Sequence, residues 1–190
     1  LGFGTQFLDI ENDGDLDVFV ANGHVLDNIS ELEQTGQYAQ RNLLFLNKII
    51  EDDQSRFDEL GESLGFTSPA VSRGSAIGDY DFDGDVDLLV FNSGYSAQLL
   101  RNDGGNIAGH WLGVELIGKN SNRSAVGGKV SLFSKNKYLV REVRGDKSYL
   151  SHSNRLSHFD IGLPCIAIFF IVEIFLSLSN SFLKFLIASS

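Results

Sequence analysis

The feature that most constrains this chain is an acidic pattern that occurs twice, 70 residues apart. DIENDGDLDVFVANG spans residues 9–23, and DYDFDGDVDLLVFNSG spans residues 79–94. In each copy five carboxylates occupy every second position within nine residues, and an apolar run follows at once. Carboxylates this close repel one another, so the pattern needs a compensating positive charge. The sequence therefore predicts a bound cation in each loop.

The spacing is typical of a loop that binds a hard cation through oxygen. Ca²⁺ takes six to eight oxygen ligands at about 2.3–2.6 Å, and alternate side chains on a loop bent at glycine can supply them. We expect the bend at position 6, which is Gly14 or Gly84. About two ions are expected, one per loop. The predicted ligands are Asp9, Glu11, Asp13, Asp15 and Asp17 in the first loop, and Asp79, Asp81, Asp83, Asp85 and Asp87 in the second.

Two other interpretations of the loops are an EF-hand and a solvated acidic turn. An EF-hand needs a bidentate glutamate at position 12, but that position is Val20 or Val90 within an apolar run. We expect the ninth-position aspartate to replace that glutamate, and position 7 to bind through its backbone carbonyl. A solvated acidic turn is the other alternative, and the repetition of the whole frame argues against it. The longer Glu11 predicts that the first site is the weaker one.

The loops belong to a longer repeat. GTQFLDIENDGDLDVFVAN (4–22) matches GSAIGDYDFDGDVDLLVFN (74–92), and RNLLFLN (41–47) pairs with AQLLRN (97–102). The first copy carries an insertion at 24–38, which we interpret as a short helix or loop. Runs rich in Val, Leu and Phe, bounded by Asn, Gly and Asp, predict strands. These strands are 16–21, 43–47, 86–91 and 98–101.

The charge of the chain changes near residue 107. Residues 1–107 contain 20 acidic and 5 basic residues, whereas residues 108–190 contain 5 acidic and 10 basic ones. Such a change in composition indicates a domain boundary. The acidic part also argues against a nucleic-acid partner, because a negative field repels phosphate.

Residues 108–163 have the pattern of longer alternating strands. HWLGVELIG places Leu112, Val114 and Leu116 on one face, and GGKVSLF and YLVREVRG follow after polar turns. The pattern predicts a small antiparallel β domain, sandwich-like in form.

The apolar tail, residues 164–190, has three interpretations: a buried strand or helix, a membrane segment, or a terminus altered from its natural sequence. Its apolar core at 166–176 contains Glu173 and is shorter than the ~20 residues of a membrane helix, so residues 165–190 are a weak membrane candidate. Cys165 is the single cysteine, which excludes an intrachain disulfide. The chain has no methionine, so we expect it to begin inside a longer protein.

These motifs carry a resemblance to known families. The two loops, with GFGTQ before the first and SRGSAIGDYD leading into the second, resemble FG-GAP/VCBS repeats, the blades of integrin-type β-propellers in which this loop holds calcium. The stretch RNDGGNIAGHWLGVELIGKNSNRSAVGGKVSLF, continuing through VREVRGDKSYLSHSN, resembles the ASPIC/UnbV domain that follows such repeats in cartilage-acidic-protein-like and related bacterial proteins. Two departures are Glu11 and the absence of the family's tryptophan-proline-serine-glycine ending.

The resemblance implies an all-β fold, with partial propeller blades over residues 1–107 followed by the small β domain. It implies a secreted, cell-surface or periplasmic protein that binds a protein or glycan, and no known chemistry. We therefore expect a calcium-binding interaction or adhesion module and no enzyme. The alternatives are a non-catalytic scaffold within a larger secreted enzyme and a structural role in a surface assembly.

Two further motifs favour structural explanations. GESLG (61–65) fits the nucleophile-elbow pattern, but the required strand before it and helix after it are not predicted, so we expect Ser63 in a turn. RGD (144–146) would support adhesion on an exposed loop, whereas Gly145 is typical of a hairpin turn. No catalytic residue is predicted.

Overall fold

The protein is described by a computed structural model that covers residues 1–49, 56–104, 110–118, 122–134, 137–145, 148–162, 168–173 and 182–188. Across these ranges the chain forms antiparallel β-sheets and one helix of four residues. The expectation of an all-β fold is confirmed. None of the helical structure in the described ranges is long and apolar enough to span a membrane.

The first repeat is a four-stranded antiparallel sheet in chain order. Its strands are β1 (Gly2–Leu8), β2 (Asp17–Asn22), β3 (Leu43–Asn47) and β4 (Phe57–Glu59). The insertion after β2 contains the short helix α1 (Ile29–Leu32), as predicted. The predicted strands at 16–21 and 43–47 are confirmed to within one residue, whereas β1 and β4 were not predicted.

The second repeat forms the same meander with three strands: β5 (Ser72–Gly78), β6 (Asp87–Asn92) and β7 (Gln98–Leu100). In both repeats the acidic loop joins the first two strands. The register pairs Leu8 with Asp17 and Gly78 with Asp87. The ninth-position aspartate therefore lies opposite the residue just before position 1, which closes the loop.

A shared apolar core joins the two repeats. Strand β1 lies along β5, and a Cβ atom built on Gly4 would come within 2.7 Å of the backbone nitrogen of Ser75. Glycine at this position lets the two strands approach closely. The buried members of the core are Leu8, Phe19, Ala21, Leu44, Val86, Leu88 and Val90.

The C-terminal β domain, defined here as strands β8–β13, contains two three-stranded sheets. In one sheet β8 (His110–Ile117) lies between β11 (Ser157–Gly162) and β13 (Phe182–Ala188). In the other, β9 (Lys129–Ser134) lies between β10 (Lys137–Glu142) and β12 (Ile168–Glu173). The apolar tail thus contributes one strand to each sheet, which agrees with the strand interpretation.

The buried face that the alternation in β8 predicts is confirmed. Leu112, Val114 and Leu116 are all buried, and they share one core with Val130 and Leu132 of the other sheet. Burying apolar side chains of this size contributes about 1.5–3 kcal/mol each. The core therefore holds the two sheets together.

A segment that we call the seryl strap, residues 148–154, connects the C-terminal β domain to the repeats. The backbone nitrogen of Ser75 donates to Ser151 Oγ at 2.9 Å, and that of Ile77 donates to Ser153 Oγ at 3.1 Å. Two hydroxyl groups thus accept hydrogen bonds from β5 in place of a neighbouring strand. The strap lies directly on the strand that leads into the second acidic loop.

Candidate metal centre

Three carboxylates of the second loop converge. Asp79, Asp81 and Asp87, at positions 1, 3 and 9, each offer an oxygen, and these oxygens lie within 4.8 Å of one another. This cluster could hold a metal ion. Asp81 is also 3.7 Å from Arg101 Nη1 at the loop surface.

Hydrogen bonds orient two of these carboxylates. Asp87 accepts hydrogen bonds from the backbone nitrogens of Tyr80 and Asn102, both at 3.0 Å. Asp79 Oδ2 accepts one from the nitrogen of Gly84 at 3.1 Å, whereas Asp79 Oδ1 is buried without a hydrogen-bond partner. A buried carboxylate oxygen in that state costs free energy, which a cation at the cluster would offset.

Asp83 and Asp85 have other contacts. Asp83 Oδ1 accepts a hydrogen bond from the nitrogen of Asp85 at 2.9 Å, which holds the turn before position 7. The carboxylate of Asp85 is fully buried and contacts the other acidic loop. The cluster in the second loop therefore contains three of its five predicted ligands.

The first loop is held by the same kind of bonds. Asp9 accepts hydrogen bonds from the nitrogens of Asp13 and Gly14 at 3.0 and 2.9 Å, and Asp13 accepts one from Asp15 at 2.9 Å. Asp17 accepts one from Asn47 at 2.9 Å, as Asp87 does from its counterpart after β7. The two loops thus share one framework.

Position 3 differs between the loops. Glu11 Oε1 lies 3.3 Å from Lys48 Nζ, so a lysine after β3 balances part of the charge. Among the residues that the structure describes, no group of three carboxylates converges in the first loop.

Burial raises the pKa of two carboxyl groups in each loop. It raises the pKa of Asp9 to about 7, with a further contribution from Asp13, and raises that of Asp17 to about 7. Burial also raises the pKa values of Asp79 and Asp87. A low-dielectric environment disfavours the charged form of an acid, and a bound cation would favour it. The donor set, which is made of carboxylate oxygens, fits a hard cation.

The two loops contact each other, which the sequence did not predict. Asn12 Nδ2 donates to Asp85 Oδ1 at 2.8 Å, and Asn102 Nδ2 donates to the carbonyl oxygen of Ile10 at 2.7 Å. Asn12 is 3% exposed and has a left-handed backbone with φ of 58°. Asparagine tolerates that conformation better than most residues, so the asparagine at position 4 is a sequence signal for a left-handed residue there.

Residues 118–165 match the family model for ASPIC and UnbV. The matched ASPIC/UnbV segment contains β9, β10, the seryl strap and β11, and it does not extend over the acidic loops. No curated protein matches the chain. The resemblance seen in the sequence is therefore confirmed for this segment.

The ASPIC/UnbV segment and β8 together reach the second loop. Both central glycines make the predicted bend, and each has a left-handed backbone with φ of 99°. A Cβ atom on Gly84 would overlap the indole of Trp111 on β8, with Cε2 at 2.7 Å. The imidazole ring of His158, in the ASPIC/UnbV segment, stacks on the indole ring of Trp111. The two ring centroids are 5.4 Å apart, and the ring planes are inclined by 18°.

A cavity of about 480 Å³ lies between the repeats and the C-terminal β domain. Asp9 and Asp79 line it from the loops, and Arg141 and His158 line it from the other side. Its walls carry groups of both charges among apolar side chains, so they do not select one class of small ligand.

Ser63 lies in a turn, and Gly145 of the RGD motif lies in a bend. Ser63 lies in the turn between β4 and β5, and its hydroxyl donates to the carbonyl oxygen of Leu60 at 2.8 Å, which confirms the predicted turn. Arg144 lies 3.3 Å from Glu142, and Gly145 lies in a bend. The third RGD position, residue 146, lies outside the described residues.

Proposed function

We propose that the acidic loops bind Ca²⁺ and that the chain is a calcium-stabilised interaction module of a secreted, cell-surface or periplasmic protein. The role is binding, without catalysis. The observation that carries the proposal is the convergence of the carboxylates of Asp79, Asp81 and Asp87, together with the buried Asp79 Oδ1 that has no hydrogen-bond partner.

The chemistry of the cluster favours Ca²⁺ over other divalent ions. Zn²⁺ prefers nitrogen and sulfur ligands, and the cluster offers carboxylate oxygens. Mg²⁺ demands near-ideal octahedral geometry, whereas Ca²⁺ accepts six to eight oxygens in flexible arrangements. The second acidic loop joins β5 to β6 through eight residues, and the pairing of Gly78 with Asp87 fixes its two ends. A loop of this length, bent at Gly84, suits Ca²⁺ because that ion accepts a wider range of ligand arrangements than Mg²⁺ does.

The two meanders support the further proposal that residues 1–107 are FG-GAP/VCBS repeats, the blades of a propeller. Both carry the acidic loop between their first two strands, and both are closed by a ninth-position aspartate. Beside the cluster, the side chains of Tyr80 and Phe82 are 50% and 71% exposed. Exposed aromatic side chains next to a rigid loop suit contact with a protein or glycan partner.

Calorimetric titration of the chelator-treated chain with Ca²⁺ tests the proposal. We expect about two binding events, and Ca²⁺ at one hundred times Kd should stabilise the fold by about 2.7 kcal/mol per site. Asp79→Asn combined with Asp87→Asn should remove one event. Asp58→Asn is a matched control, because Asp58 lies on β4 in a surface ion pair with Arg56. Absence of both heat and a calcium-dependent melting shift would refute the proposal.

A further inference from the structure

The bend of the second acidic loop lies directly on the indole ring of Trp111. Trp111 belongs to β8, the central strand of its sheet, and is 6% exposed. Gly84 approaches the ring so closely that the space for a side chain is filled by the indole. We infer that Trp111 is a positioning residue for the second cation loop, so that the C-terminal β domain sets the cation affinity of this loop. The inference rests on the proposed function.

The path from Trp111 to the cluster has two steps. Trp111 fixes the backbone of Gly84 by contact, and the nitrogen of Gly84 donates to Asp79 Oδ2 at 3.1 Å. That hydrogen bond orients the carboxylate so that Asp79 Oδ1 stays buried without a hydrogen-bond partner. An indole that holds the bend therefore preorganises the first-position ligand, and preorganisation lowers the ordering cost of binding.

The indole is itself held in place. His158 of β11 stacks on it, and β11 and β13 flank β8 on its two sides. The wall behind Gly84 thus belongs to a sheet with its own buried core. Because Trp111 is held in this way, a shift of the Gly84 backbone would press on the C-terminal β domain, and a shift of the Trp111 ring would move the Gly84 backbone.

Trp111 makes its contact with the second loop. Gly14 has the same φ of 99° as Gly84, but Trp111 is the chain's single tryptophan and its contact is with Gly84. Linkage is reciprocal: if the contact strengthens cation binding, then the cation strengthens the contact. Trp111 should therefore report occupancy of the second loop through its own fluorescence.

The test uses the full chain and Ca²⁺. Trp111→Ala should weaken calcium binding at the second loop by about five-fold or more, the usual lower range of such coupling, and should change the affinity of the first loop less. Tyr138→Ala is the matched control, because Tyr138 is an aromatic residue of the same domain that is exposed and lies on β10 in the other sheet. It should leave both affinities unchanged.

Fluorescence gives a second readout that does not require a Trp111 variant. Calcium titration should change the Trp111 emission of the native chain and of Asp58→Asn, and the change should be lost in Asp81→Asn combined with Asp87→Asn. Calcium binding with unaltered emission, and with native affinities in Trp111→Ala, would overturn the inference and leave the proposed function standing. Absence of any calcium binding by calorimetry would overturn the proposed function, and the inference with it.

Discussion

The side chain of Asn12 donates a hydrogen bond of 2.8 Å to the carboxylate of Asp85, and so joins one acidic loop to the other. Both residues are buried, at 3% and 0% exposure. A second bond runs in the opposite direction, from Asn102 to the carbonyl oxygen of Ile10. The two acidic loops therefore contact each other through Asn12 and Asp85, although they belong to different sheets.

Deleting the Asn12 side chain should destabilise the fold. Asn12→Gly removes one hydrogen-bond partner of the buried Asp85 carboxylate, and a loss of this kind typically costs about 1–3 kcal/mol. Glycine tolerates the left-handed backbone, so the loss reports the side chain and not the φ of 58°. Denaturant unfolding measures the change in the free energy of unfolding.

Phe82→Gly is the matched control for Asn12→Gly. Phe82 occupies the same loop position in the second repeat with φ of 61°, but its side chain is 71% exposed. This substitution should leave stability unchanged or raise it slightly, because glycine suits the conformation. Equal losses from the two substitutions would show that the inter-loop hydrogen bond contributes nothing.

The sequence predicted the elements that carry a local signal. The acidic alternation identified both loops and their central glycines, and the apolar alternation in β8 identified the buried face of Leu112, Val114 and Leu116. Strands β1 and β5 were missed because GFGTQFL and SRGSAIG are rich in small and polar residues. They form strands because each pairs with an apolar neighbour and because Gly4 lets them pack together.

The contacts around the loops could not be predicted from a single sequence. Asn12 and Asp85 are 73 residues apart, and each looks like one more polar residue of a turn. Trp111 lies on the face of β8 opposite to Leu112, Val114 and Leu116, and periodicity does not identify the glycine against which it packs. Tertiary contacts of this kind depend on how sheets pack, which no local pattern specifies.

His158 should make stability depend on pH. Burial lowers the pKa of His158 to about 4, below its ordinary 6.5, so the folded state disfavours the protonated ring. As the pH falls, the unfolded chain takes up this proton before the folded chain does. The stability that neutral His158 contributes is therefore complete above pH 6.5 and is lost as the pH falls towards 4. His158→Gln cannot titrate and should lose less stability than the native chain between pH 7 and pH 5.

The difference between the two chains reports His158, because both chains contain the same loop carboxyl groups. Melting temperatures at several pH values in excess chelator provide the measurement. Parallel curves for the native chain and His158→Gln would contradict the prediction.

The seryl strap should be required for stability. Ser153→Ala removes the acceptor of the Ile77 nitrogen and the donor to Gln6 Oε1 at 3.2 Å. Buried polar groups left without partners cost about 1–3 kcal/mol, and unfolding in denaturant would show the loss. Ser96→Ala, at an exposed serine between β6 and β7, is the control and should be close to neutral. An equally small effect at both serines would rule out this role for the strap.

The C-terminal β domain should need the apolar tail in order to fold. Strand β12 pairs with β9 over residues 168–173, and β13 pairs with β8 over residues 182–188. A fragment that ends at residue 163 lacks two of the six strands, so both central strands would become sheet edges with unpaired backbone groups. Residues 108–190 should therefore give a well-dispersed amide spectrum, whereas residues 108–163 should be unfolded or oligomeric. A folded monomer of 108–163 would show that the tail strands are dispensable.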